Sequence, residues 1–93
     1  MMKYRYLSRE EKIQVNEFRR KSGNNISDIR RKRRITLKKL GKLTGYRLET
    51  LDSFELGKKP IRIEDMVKIA NALKVNIEKI LVQDKNHETK APE

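Results

Sequence analysis

At 93 residues the chain has room for one compact module and tails, and a chain this short buries only a modest share of its surface. Its formal charge of +11 is large for that length and points to a polyanionic partner, nucleic acid ahead of an anionic membrane. The lack of cysteine excludes a disulfide framework and a thiolate metal site, and a lone His87 in a polar stretch speaks against structural zinc. No apolar run is long enough for a signal peptide or a membrane span, so a cytoplasmic location is expected.

The basic charge is concentrated at the start. Residues 1–34 hold 12 Lys and Arg against 4 Asp and Glu, residues 35–60 hold 6 against 3, and the remainder is near balance. In the first seven residues Lys3, Tyr4, Arg5 and Tyr6 alternate basic with aromatic side chains, a pattern that fits a short strand or a flexible arm. Such a segment can enter a minor groove, stack on unpaired bases or pair with its twin across a dimer; more often a terminus of this kind is frayed. Ser8 and Glu11 have capping-box spacing and predict a helix from about 9 to 21, ended by Gly23 and Asn24. Ile13, Val15 and Phe18 are too few for a broad apolar stripe, so this helix is expected to pack loosely on the rest or on a partner.

Asn25 with Asp28 repeats the capping pattern and predicts a helix to about 34 with Ile26 and Ile29 on its apolar side. The five consecutive basic residues Arg30, Arg31, Lys32, Arg33 and Arg34 cannot share one direction at 3.6 residues per turn, so part of the run is a solvated face. Thr36 can cap the next helix, where Leu37, Leu40, Gly41 and Thr44 recur at helical spacing and Gly45 fits a left-handed end. A helix from about 47 to 55 places Leu51 and Phe54 inward and Leu48, Glu49, Asp52 and Ser53 outward, with Gly57 closing it.

Beyond Pro60, the residues Ile63, Met66, Val67, Ile69, Ala70 and Leu73 give the strongest helical periodicity in the chain and predict a core helix. Asn76 can cap a last short helix with Ile77, Ile80 and Leu81 inward, and 83–93 reads as a disordered polar tail. The expected division is a basic arm and helix over 1–24, a helical domain over 25–82 and a tail over 83–93.

One ordered set of residues runs without gaps from 26 to 81: Ile26, Ile29 and Arg30; Leu40, Gly41 and Gly45; Leu51, Phe54, Glu55 and Gly57; Ile63, Glu64, Ile69, Ala70, Leu73 and Val75; Ile77, Ile80 and Leu81. This set resembles the Cro or lambda-repressor-like helix-turn-helix family, also called the XRE type. The resemblance implies an all-α, five-helix DNA-binding domain, here with an extra N-terminal helix. Its third helix would lie in the major groove, with the first turn of its second on phosphate. It makes Arg47, Leu48, Glu49 and Ser53 the base-contacting set, and Thr36, Leu37, Lys58 and Lys59 the phosphate-contacting set. It also makes Arg30 and Glu55 an internal ion pair. Net charge adds Arg33 and Arg34 to the phosphate contacts.

Two departures from the family pattern stand out. Leu37 occupies a position where the family commonly has a phosphate-binding glutamine, and the third helix has neither Gln nor Asn for bidentate readout of adenine. The chemistry left is Arg47 on guanine O6 and N7, Glu49 accepting from cytosine N4, and Leu48 on a thymine methyl. Alternatively, Glu49 and Asp52 repel phosphate, the third helix is a protein-contact surface, and the basic N-terminal third holds nucleic acid.

The expected function is a sequence-specific regulator of transcription bound to double-stranded DNA, repressor-like and homodimeric because one small module contacts too few base pairs. The dimer surface is open between the region of Ile13 and Phe18 and that of Ile80 and Val82. The second hypothesis is an antitoxin or adaptor that uses the same fold mainly to hold a protein partner. An enzyme is not expected, since the chain shows no carboxylate pair with a nearby base, no Ser-His or Cys constellation and no phosphate-cradling glycine loop; no cofactor is implied. Membrane attachment lacks an apolar face opposite the basic one.

Overall fold

The computed structural model describes residues 6–81. The arm residues Lys3, Tyr4 and Arg5, together with Val82, His87 and the polar tail expected over 83–93, lie outside the described residues. Tyr6 and Leu7 carry no regular structure, and the Tyr6 side chain is fully exposed. The fold is all-α: helices α1 (Arg9–Lys32), α2 (Leu37–Thr44), α3 (Leu48–Glu55) and α4 (Ile63–Leu73), then a single 3-10 turn at Ile77–Lys79.

The helix α1 begins where the capping box predicts. Ser8 Oγ accepts from the Glu11 amide at 3.0 Å, and Glu11 Oε1 accepts from the Ser8 amide at 2.8 Å. It does not stop at Gly23 and Asn24, however, but continues unbroken to Lys32. The reason is packing. Gly23 is buried under the end of α3, and a Cβ built there would lie 2.2 Å from the Phe54 carbonyl oxygen. This glycine permits close approach of two backbones, at a propensity cost of about 1 kcal/mol relative to alanine in mid-helix. Asn25, expected as an N-cap, is inside the helix, and its Nδ2 donates to the Ile80 carbonyl at 3.0 Å. The two helices expected on either side of residue 24 are therefore one, and the extra N-terminal helix is the first part of α1 rather than a separate element.

The end of α1 is a left-handed turn at Arg34, φ 58°, with the Ile35 amide on the Arg30 carbonyl and the Arg34 amide on that of Arg31. The same pattern closes α3 at Gly57, φ 75°, and α4 at Lys74, φ 60°. The last helix is shorter than expected, a 3-10 turn capped by Asn76, whose Oδ1 accepts from the Glu78 amide at 3.0 Å.

The core is Ile26 from α1, Leu40 from α2, Leu51 and Phe54 from α3, Met66, Ile69, Ala70 and Leu73 from α4, and Ile80. Thus α1 packs chiefly on α3, and α2 packs on both α3 and α4. Two residues expected in the core are outside it: Ile63 is 58% exposed and Val67 is 44% exposed. Val67 is turned about 100° from Met66 and so leaves the buried stripe, while Ile63 projects from the first turn of α4. Among the described residues no helix is long and apolar enough to cross a membrane, and no group of three or more His, Cys, Asp or Glu is placed to hold a metal.

Candidate nucleic-acid interface

The geometry of the site is set by the turn between α2 and α3. Thr36 Oγ1 accepts from the Lys39 amide at 3.0 Å and starts α2, while Gly45, at φ 85°, returns its amide to the Gly41 carbonyl at 2.7 Å and ends it. Thr44 locks the turn from inside. Its buried hydroxyl donates to the Leu40 carbonyl at 2.8 Å and accepts from the Tyr46 amide at 3.2 Å.

The helix α3 then starts at Leu48 and buries Leu51, Phe54 and Glu55. Glu49 and Ser53 stand opposite those three, Glu49 exposed and Ser53 half-buried; Asp52 is exposed at the flank, and Leu48, one turn before Leu51, is 46% exposed with its side chain beside Gly41. Arg47 is the exposed N-cap residue and its side chain makes no capping bond, which leaves the guanidinium outside the helix start. Glu49 stands in the first turn, where its carboxylate complements the helix dipole by about 0.3–1 kcal/mol.

Two contacts hold α3 in place. Arg30 from α1 grips Glu55 with Nε on Oε2 at 2.7 Å and Nη2 on Oε1 at 3.1 Å, and its Nη1 donates to the Ile35 carbonyl at 2.9 Å. The bond to Glu55 raises the Arg30 pKa against the opposing effect of burial. On the other side Tyr46 stands edge-on to Phe54, with ring centroids 5.7 Å apart, and its hydroxyl donates to Asp65 Oδ1 at 2.6 Å. Asp65 Oδ2 accepts from the Arg62 amide at the start of α4, so one carboxylate ties the turn to that helix. Lys68 Nζ lies 5.4 Å from the centre of the Tyr46 ring. Sequence reasoning gave Tyr46 no role, and no local spacing links it to Asp65, 19 residues further along the chain.

The residues expected on phosphate are spread over three loci. Thr36 has its hydroxyl engaged in the cap, and Leu37 is half-buried with its side chain against the core. Lys58 and Lys59 are exposed on the loop after α3. That loop rides directly on α1, for a Cβ on Gly57 would lie 2.8 Å from the Arg20 Cα. Arg34 is exposed in the turn before α2, whereas Arg33 lines two grooves facing α4 and the final 3-10 turn. Around α3, Arg47, Lys58 and Lys59 therefore carry positive charge at its two ends, with Glu49 and Asp52 between them.

The comparison with family models decides what this arrangement is. The helix-turn-helix model matches residues 26–80, more than half of the chain, and covers α2, the turn and α3 in full. The chain belongs to the XRE-type helix-turn-helix family. It is thereby a DNA-binding transcription regulator by family and fold. No curated protein matches the sequence. Among solved structures, the fold is similar to the restriction-modification controller protein C.AhdI from Aeromonas hydrophila. That match has 19% identity over 67% of this chain and 94% of that one, with a TM-score of 0.64. It is also similar to the DNA-binding domain of BldD, at 17% identity over 72% of this chain and 97% of that one, with a TM-score of 0.66. At such identities the likeness to these two structures is one of fold. This helix-turn-helix chain carries, in addition, the long N-terminal part of α1, which begins 17 residues before the family match, at Arg9.

Proposed function

We propose that the chain is a sequence-specific, repressor-like regulator that binds double-stranded DNA as a homodimer with α3 in the major groove. The observation that carries this reading is the outward set on α3: burial of Leu51, Phe54 and Glu55 turns Glu49 and Ser53 away from the core, flanked by the partly exposed Leu48 and the exposed Arg47. In the groove Arg47 would bond guanine, Glu49 would accept from cytosine N4, and Leu48 would pack on a thymine methyl. Lys58 and Lys59 grip phosphate after α3, and the start of α2 at Thr36 and Leu37, with Arg34 just before it, lies along the backbone, while Arg33, turned toward α4 and the final 3-10 turn, leaves that set.

The dimer contact falls to the N-terminal part of α1, where Ile13 is 57% and Phe18 is 40% exposed. Of the competing surface around Ile80 and Val82, Ile80 is wholly buried in the chain's own core, which favours the surface on α1. Ile13 and Phe18 stand about 140° apart around the helix, so the contact would wrap α1 rather than follow a narrow seam. The adaptor reading rests on Glu49 and Asp52, whose charge on the exposed side of α3 opposes phosphate.

Titration of a labelled duplex across a range of salt concentrations, repeated with variants of α3, separates the two. Phosphate contact in any mode gives a log–log slope of roughly −0.9 for each phosphate neutralised, so the variants carry the distinction. Lys58→Ala and Lys59→Ala should weaken every duplex alike, whereas Arg47→Ala and Glu49→Ala should change which duplex is preferred. A slope near zero, or an E49A variant that tightens binding to all duplexes equally, favours the adaptor.

A further inference from the structure

A basic surface with an apolar floor lies where α1, α2, α4 and the final turn meet. One groove, of about 570 Å³, is lined by Ile29, Lys32, Arg33, Val75 and Lys79. A second, of about 350 Å³, has Arg33, Ile35, Lys39, Leu43 and Lys74 among its walls. Arg33 belongs to both, so the two grooves lie side by side, and no residue of α3 lines either. Every charged residue in these walls is basic. The floor is apolar: Ile29, Ile35 and Val75 are half-buried, and Leu43 is 49% exposed.

Lys74 adopts a φ of 60°, as Arg34 does at 58°, a conformation that glycine takes without the Cβ penalty, so Lys74→Gly removes the lysine charge in a way the backbone accepts.

The chemistry narrows the occupant. A phosphate backbone needs donors and charge, but gains nothing from Leu43 and Ile29. A second copy of the same face would set like charges against each other. An acidic segment with one apolar side satisfies both features, its aliphatic side chains on the floor and its carboxylates against Lys32, Lys39, Lys74 and Lys79. We propose that this surface docks an acidic amphipathic segment of a partner protein. Since α3 is not part of it, the partner and DNA can be held at once.

The test uses the full chain and a synthetic peptide of about 15 residues, with leucines at helical i, i+3, i+4 and i+7 spacing and glutamates elsewhere. A peptide of the same composition, scrambled to destroy the apolar side, is the control. Saturable methyl shifts at Ile35, Leu43 and Val75 with the first peptide and not the second are expected. Lys74→Glu with Lys79→Glu should weaken the peptide by about tenfold or more. Duplex affinity should stay within about twofold. Lys74→Gly, which relieves backbone strain, should keep the fold and still weaken the peptide. Equal binding of both peptides, absence of saturation, or duplex affinity lost in step with peptide affinity overturns the proposal. The peptide arm is read without DNA, so it stands apart from the DNA-binding reading.

Discussion

Arg30 holds Glu55 in a two-pronged grip, 2.7 and 3.1 Å, while its third nitrogen reaches the Ile35 carbonyl, so one guanidinium joins α1, the turn before α2 and the last residue of α3. Both side chains are largely withdrawn from water, at 14% and 9% exposure. Removing one partner leaves the other as a buried, uncompensated charge. Glu55→Ala should therefore cost about 3–5 kcal/mol, measured by urea unfolding. A loss below about 1 kcal/mol would mean that the pair behaves as a solvent-exposed one.

Gly23 makes a sharper case, because two effects oppose each other. Alanine is the better helix former by about 1 kcal/mol, yet its methyl would meet the Phe54 carbonyl at 2.2 Å. Overpacking against backbone wins, and Gly23→Ala should lower stability by about 1–3 kcal/mol in thermal or urea unfolding. A stabilised variant would show that α1 does not lie against α3 at this point.

The left-handed residues that are not glycine reverse that sign. Arg34 and Lys74 adopt φ values of 58° and 60° without being glycine. Arg34→Gly and Lys74→Gly should each raise stability by about 0.5–1 kcal/mol, the Cβ strain relieved less the added freedom of the unfolded chain. Unfolding midpoints that fall instead would place these side chains in stabilising contacts.

The hydroxyl of Tyr46 gives a pH signature. Its pKa is pushed up from 10.0 to about 12, first by burial, then by the hydrogen bond to Asp65 and the charges of Asp65 and Glu64. The unfolded chain loses the phenol proton near pH 10 while the folded chain keeps it. Stability tied to this group is therefore complete below pH 10 and drains away between pH 10 and about 12. Tyr46→Phe should flatten that part of the stability curve relative to the unaltered chain; parallel curves would deny the Asp65 bond.

How much of this was legible in the sequence depends on how far apart the deciding atoms are. Ser8 with Glu11, Thr36 and Asn76 accept from amides a few residues away, Gly45 and Gly57 donate to carbonyls a few residues back, and their spacing announced these helix ends correctly. Gly23 followed by Asn24 reads locally like a helix terminus, and only the carbonyl of Phe54, on another helix, makes it a contact point instead. Val67 lies about 100° from Met66, a departure from the stripe that spacing does show, whereas Ile63 fits the stripe and is exposed because nothing among the described residues packs over it at the first turn of α4, which spacing does not encode. The outward set on α3 could be read from the inward one. The Tyr46–Asp65 bond and the basic surface around Arg33 could not, since each joins residues from elements far apart in the chain.

The measurement closest to the central claim is selection of bound sequences from a random duplex library, at near-physiological salt and with excess non-specific competitor. A two-fold symmetric motif with a defined half-site spacing is the predicted result, and it would establish sequence-specific recognition by a dimer. Salt-sensitive binding that yields no motif would contradict it and leave the chain a non-specific DNA binder or an adaptor.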